Sequence, residues 1–227
     1  MALLPPEYIK KVKNISPNTI FINTEQIYFD KNDWWPSNIY EWASSFETWD
    51  FSDLNINAFT AKGINNVKKL DIGYQSELRR ITTVDKPDID VLFYGTIKDR
   101  RKKIIDDLRS LGLNVHTLFG VYGKERDSFI SRSKIVLNLH HFDSHIFEIV
   151  RVFYLLTNRK AVVGEVGINT AIDQRILECI KPSSYDELAN TCLHLIENTE
   201  ERLLLENKAF ENFSLYPQKL FTEKLLY

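Results

Sequence analysis

The spacing of apolar positions changes character along the chain, and the change marks where a regular rhythm begins. From residue 88 to about residue 200, short apolar runs bounded by turn residues alternate with longer amphipathic stretches. DVLFYG, NVHTLFG, KIVLNLH and KAVVGE are short and rich in β-branched and aromatic residues, so they read as strands. DRRKKIIDDLRSLG, GKERDSFISRS, FEIVRVFYLLTN and SYDELANTCLHLIEN read as the helices between and after them. Such alternation predicts right-handed βαβ crossovers and a doubly wound parallel sheet.

Upstream, NTIFINTEQIYF predicts a strand with Glu25 near its end. In DWWPSNIYEWASSFETWD the residues Trp35, Ile39, Trp42, Phe46 and Trp49 fall at steps of 4, 3, 4 and 3, the signature of one helix face. Pro36 suits the first turn of that helix. All four tryptophans lie here, as a core stripe or, for the off-stripe Trp34, as a ring that stacks on a sugar. FSDLNINAFTAKGI predicts a helix closed by Gly63, and NVKKLDIGY a strand ending at Gly73. The polar TTVDKPDID is a candidate linker. The last stretch, from TEERLLL to LFTEKLLY, predicts a helix, a break at Pro217 and a short final helix. The expected organisation is a smaller α/β region over 1–85, a Rossmann-like domain over 86–205 and terminal helices over 206–227.

Composition narrows the function classes. A chain of 227 residues, 44% hydrophobic, can form one large or two small cores. Its net charge of −2 gives no global field for nucleic acid or an anionic membrane. No apolar run approaches the roughly 20 residues of a membrane span, and MALLPPEYIKKVKN lacks the apolar segment of a signal peptide. Cys179 and Cys192 stand apart without metal spacing and read as inert reduced thiols. A cytoplasmic location is expected.

Ligands of parallel sheets bind beyond the carboxyl ends of the strands, and three such ends carry unusual residues. After DVLFY come Gly95 and Thr96, then a helix opening with Arg100, Arg101, Lys102 and Lys103. Cations in a first turn oppose the helix dipole, so an anion held there would reverse the penalty. After KIVLNL come His140, His141 and Asp143, with Glu148 opening the next helix, where a carboxylate can take ribose hydroxyls or pair with Arg151. The spacing of these histidines and Asp143 matches no standard metal site. After KAVV, Glu165 stands between two glycines and either reaches the same crevice or opens a turn.

DVLFYGTIKDRRKKIIDDLRSLGLNV, LFGVYGKERDSFISRSKIVLNLHHF and FEIVRVFYLLTNRKAVVGE together resemble GT-B-type glycosyltransferases related to the group 1 transferases. FINTEQI, WDFSDLNI and KKLDIGY are similar to the segment preceding the donor domain in that family. The resemblance spans about residues 18–170. It implies two Rossmann-like domains, the second binding a UDP- or GDP-linked sugar, and a first domain that is short, since only about 80 residues precede the linker. Of the family's paired acids only Glu148 is matched, and Arg100 and Arg101 match its phosphate-binding cations.

The reading that follows is a metal-independent glycosyltransferase. Gly95, Thr96, Arg100 and Arg101 hold the donor diphosphate and Glu148 the ribose. His140, His141, Asp143 and Glu165 line the donor crevice, and Glu25 and His141 are candidate bases. The acceptor is a glycan, a protein or a modified nucleic-acid base. The rival is a non-catalytic nucleotide-sugar-binding or assembly protein, and a sugar-nucleotide epimerase is a third option. A homodimer through residues 1–85 would cover the exposed surface of a shortened sheet.

Overall fold

A computed structural model of the chain describes residues 5–27, 38–140 and 146–226. The chain divides into two compact units, one of Met1–Ile72 with Lys219–Tyr227 and one of Gly73–Gln218.

The first unit opens with helix α1 (Glu7–Ile15), followed by β1 (Ile20–Asn23), α2 (Asn38–Ser45), β2 (Glu47–Asp50), α3 (Asp53–Ala61) and β3 (Val67–Lys69). Its three strands are parallel in the order β1-β2-β3. The core beneath them gathers Ile27, Ile39, Ala43, Ala58, Phe59 and Ile64. Ser52 caps α3 by accepting from the Asn55 amide, and Gly63, at φ +77, turns the chain after it.

The helix expected through Trp49 is corrected here. It ends at Ser45, and Trp49 lies in the middle of strand β2. Trp42 and Trp49 are both buried, but from different backbone conformations. Thr48, whose hydroxyl reaches the carbonyls of Ala43 and Phe46, and the paired strand β1 override a helical spacing that continues by coincidence. Trp34, Trp35 and Pro36 lie outside the described residues.

The second unit contains β4 (Ile89–Tyr94), α4 (Asp99–Ser110), β5 (Val115–Leu118), α5 (Gly123–Arg132), β6 (Ser133–Asn138), α6 (Ile149–Thr157), β7 (Ala161–Glu165), α7 (Gln174–Leu177), β8 (Lys181–Ser183), α8 (Leu188–Glu197) and α9 (Thr199–Ser214). A last helix, α10 (Gln218–Leu226), contributes to the first unit from residue 219 onward. The sheet is wholly parallel, in the order β5-β4-β6-β7-β8. Doubly wound α/β is thus the fold class, as the alternating pattern predicts. The short α7 and β8 carry too little periodicity to be read from sequence.

Two-sided burial explains why these strands are nearly all apolar. Leu92, Val136 and Val162 face a cluster with Ile130, Val152, Leu155 and Phe213. Their neighbours Val91, Ile135, Ala161 and Val163 face a second cluster with Ile104, Leu108, Leu188 and Cys192. Each fully buried large side chain is worth about 1.5–3 kcal/mol. The boundary between units falls upstream of TTVDKPDID, because Asn158 holds the preceding segment to the second unit. Its side chain accepts from the amides of Arg80 and Ile81 at 2.9 Å and donates to Leu78 O at 2.9 Å.

Candidate functional site

From β4 the chain steps to β5 on one side, and β6 lies on the other. The loops leaving the carboxyl ends of β4 and β6 therefore diverge and leave a crevice, the topological switch point at which open α/β sheets bind ligands.

The loop after β4 starts at Gly95, whose φ of +138 is strained for any other residue. A Cβ there would lie 3.3 Å from Arg151 Nη2 and 3.6 Å from Arg101 Nη1, so two guanidinium groups crowd the backbone. Helix α4 follows with Asp99 in its first turn, then Arg100 and Arg101.

These two arginines reach acids from other strand ends. Arg100 forms a two-pronged bond to Glu165 at the end of β7, at 2.7 and 2.5 Å, and donates to His140 O at 3.0 Å. Its guanidinium also lies 4.3 Å from the centre of the Tyr185 ring. Arg101 is almost wholly buried and donates to Leu139 O, His140 O, Thr96 O and Glu148 Oε1 at 2.6 to 3.2 Å. Glu148 immediately precedes α6 and also pairs with Arg151 at 2.5 Å. Protein carboxylates thus supply the negative charge that the basic turn of α4 calls for.

Burial alone would raise Glu165, but bonds from Arg100 and the His140 amide, with the charge of Arg100, outweigh it and hold its carboxyl below the ordinary range. Burial lowers the Arg101 guanidinium to about 10, which leaves it charged at neutral pH.

The end of β6 has the opposite character. Asn138 Oδ1 accepts from Arg151 Nη1 at 3.0 Å, while its Nδ2 is buried without a partner among the described residues. Both ring nitrogens of His140 are likewise buried and unpartnered, and the residue is 5% exposed. Burial keeps the imidazole below its ordinary value against the opposing pull of Glu165 and Glu148, so it is neutral at pH 7. Three buried polar atoms without partners at one strand end cost free energy that a ligand's hydrogen bonds would offset.

Of the residues singled out from sequence, Gly95, Thr96, Arg100, Arg101, His140, Glu148 and Glu165 therefore gather in one part of the second unit. His141 and Asp143 lie outside the described residues. Glu25 belongs to the first unit, at the carboxyl end of β1, where its carbonyl accepts from the side chains of Asn23 and Asn55 at 2.8 Å. Arg151 and Asn138 are the members that sequence reasoning did not assign to the site. The visible signal for Asn138 is an amide closing an otherwise apolar strand. Among the described residues, no group of three or more His, Cys, Asp or Glu side chains is placed to share a metal ion.

Comparison with known proteins extends the fold reading. No family model matches the chain. Protein L140 of Acanthamoeba polyphaga mimivirus, described as uncharacterized, is 30% identical over 194 residues, 80% of this chain and 60% of its own length. Protein L138 of the same virus, also uncharacterized, is 29% identical over 149 residues, 62% of this chain and 17% of its own. The chain thus spans less than two thirds of the curated relatives it matches. Among solved structures, Anabaena HepE in complex with UDP and glucose superposes with a TM-score of 0.65 at 12% identity, covering 98% of this chain and 75% of that one. A mutant of S. aureus TarM in complex with UDP, α-GlcNAc-glycerol and fondaparinux gives 0.63 at 11% identity, over 97% and 53%. WaaG, a glycosyltransferase of lipopolysaccharide biosynthesis, gives 0.59 at 12% identity, over 91% and 73%. The fold is the GT-B type of these glycosyltransferases, as the sequence resemblance implies.

Proposed function

We propose that the chain is a glycosyltransferase whose donor, a UDP- or GDP-linked sugar, binds in the crevice between the loops after β4 and β6. The observation that carries this reading is the set of buried, unpartnered polar atoms on Asn138 and His140 beside three guanidinium groups. A nucleoside diphosphate joined to a sugar offers both the anionic and the hydroxyl chemistry such a crevice can satisfy. The GT-B fold and the UDP held by HepE support the choice of donor.

In this reading Gly95 and Thr96 let the backbone approach the diphosphate, and Arg100 and Arg151 face its charge. Arg101, fully engaged by carbonyls and Glu148, holds the crevice open rather than binding phosphate. Glu165 orients Arg100. Glu148 accepts from the ribose, while neutral His140 faces the donor sugar. As the bond from the anomeric carbon to the diphosphate oxygen breaks, the arginines stabilise the leaving group in the manner of preorganised donors, without a metal. The new bond forms to an acceptor oxygen on a glycan, a protein or a modified base. Its proton passes to a base, for which Glu25 and His141 are the candidates. Action in the cytoplasm goes with this reading.

Calorimetric titration with UDP and GDP, followed by turnover across a panel of sugar nucleotides, tests it. His140→Ala should weaken nucleotide-sugar binding about fivefold, the value of roughly one lost hydrogen bond between neutral groups, about 1 kcal/mol. Binding without turnover on any acceptor would favour the non-catalytic alternative, and absence of binding to every donor would refute both.

A further inference from the structure

We propose that α1 is a docking element for an anionic lipid surface, an inference independent of the transferase reading. At 100° per residue, Tyr8, Ile9, Val12 and Ile15 of α1 form one apolar stripe about 120° wide. Lys11 and Lys13 fall on its two sides, and Lys10 on the far face. An amphipathic helix of a folded domain normally buries such a stripe, and a helix of nine residues has little stability without doing so. The other two helices between the strands of the unit do bury theirs: α2 through Ile39, Trp42 and Ala43, and α3 through Ala58 and Phe59. No residue of α1 is fully buried: of the stripe, Ile9 and Val12 are half-buried, while Tyr8 is 40% exposed and Ile15 is 75% exposed.

The surroundings extend the same character. Beyond Ile15 the chain passes Pro17 into a cleft lined also by Phe46, Lys68, Leu225 and Leu226, with Leu226 54% exposed. The cleft opens at the amino ends of β1 and β2, since Ile20 and Glu47 begin those strands. A surface held there leaves the carboxyl ends, with Asn23 and Asp50, free.

Charge selects the occupant. With three lysines against one glutamate, α1 is locally cationic on a chain whose net charge is −2. A second copy of this chain would bring lysine against lysine across a two-fold axis, which is repulsive. Anionic head groups complement the lysines, whose methylene stems can lie along the interface while the stripe enters the head-group boundary. The attachment is peripheral, because no helix among the described residues is long and apolar enough to cross a membrane.

Cosedimentation of the full chain with vesicles of phosphatidylcholine alone, and of phosphatidylcholine with phosphatidylserine, tests the proposal. Partitioning to the anionic vesicles only, reversed by salt, is expected. Each lysine near an anionic leaflet is worth ~fivefold in partitioning, so Lys10→Gln with Lys11→Gln and Lys13→Gln should lose roughly a hundredfold. Tyr8→Ser with Ile15→Ser should weaken binding while leaving the circular dichroism spectrum unchanged, because neither side chain is buried. Equal sedimentation with both vesicle types, or full retention by the lysine variant, would overturn the proposal. So would binding that the Tyr8 and Ile15 changes leave intact, because the apolar stripe would then play no part in it. A dimer seen by light scattering and dissolved by these same changes would assign the face to a second copy instead.

Discussion

The two units place a carboxylate at the end of a parallel strand in contrasting ways. In the second unit Glu165 ends β7 and meets a guanidinium, two bonds from Arg100 and one from the His140 amide. In the first unit Asp50 ends β2, wholly buried, and meets only amides: Asn23 Nδ2 at 2.6 Å, Asn55 Nδ2 at 3.1 Å and the Ser52 N–H at 2.7 Å. Burial dominates both, yet the results differ in sign. Arg100 and its neighbours hold Glu165 low, whereas burial drives Asp50 up to about 6 against its three hydrogen-bond partners and the more distant Lys69. Here dipoles satisfy the lone pairs of Asp50 without repaying its desolvation, whereas an adjacent full charge repays that of Glu165.

The largest expected effect comes from removing a cation on the charged side. Arg101→Ala strips Glu148 of one partner and takes a donor from each of the carbonyls of Leu139, His140 and Thr96, so unfolding by urea should show a loss of about 3–5 kcal/mol. A loss below about 1 kcal/mol would mean the pair is as replaceable as a surface ion pair.

Next is pH. Asp50 binds its proton more tightly folded than unfolded, so its contribution to stability falls as pH rises from about 4 to about 6. From an ordinary 3.8 to about 6, at ~1.4 kcal/mol per pH unit, the cost at neutral pH is on the order of 3 kcal/mol. Glu165 behaves oppositely: its stabilisation is present above the ordinary carboxylate value of 4.5 and is lost as pH falls through its lower folded value. All four tryptophans lie within residues 1–72, so tryptophan fluorescence isolates the first unit. Its unfolding midpoint should rise on acidification from pH 6 to pH 4, and Asp50→Asn should flatten that dependence. A carboxyl resonance of Asp50 titrating near 4 would erase the contrast.

A smaller effect belongs to the sheet behind Glu165. A Cβ at Gly164 would lie 2.9 Å from Ile180 Cδ1 and 3.2 Å from Phe147 Cε2, so Gly164→Ala should cost about 1–3 kcal/mol by overpacking. Thermal unfolding followed by circular dichroism measures it, and an unchanged midpoint would show that Ile180 yields freely. The least effect is expected at the exposed Lys102–Asp106 pair on α4, where Lys102→Ala should change stability by no more than ~0.5 kcal/mol. A larger loss there would undo the distinction between buried and exposed cations on one helix.

Much of this was legible in the sequence, for reasons that particular elements make plain. DVLFY, KIVLN and AVV are apolar on both faces and short, which only helix-covered parallel strands require, and they became β4, β6 and β7. The Arg100–Arg101 pair, His140 and Glu165 stood out because each is costly where the local pattern puts it, and Gly95 and Glu148 because of the strand and helix ends they mark. The Trp35-to-Trp49 stripe misled because apolar spacing records burial, and β2 buries Trp49 as well as a helix would.

The sequence by itself determined the alternating elements, the class of sheet and the list of polar residues stranded at strand ends, since local periodicity and side-chain chemistry are properties of neighbours in the chain. Only the tertiary structure decided who meets whom. That Arg100 answers Glu165 across 65 residues, that Arg101 answers Glu148 across 47, and that Asp50 is left to amides depends on strand order and register. Electrostatic pairing acts through space, and nothing in the spacing along the chain encodes a distance between two strand ends.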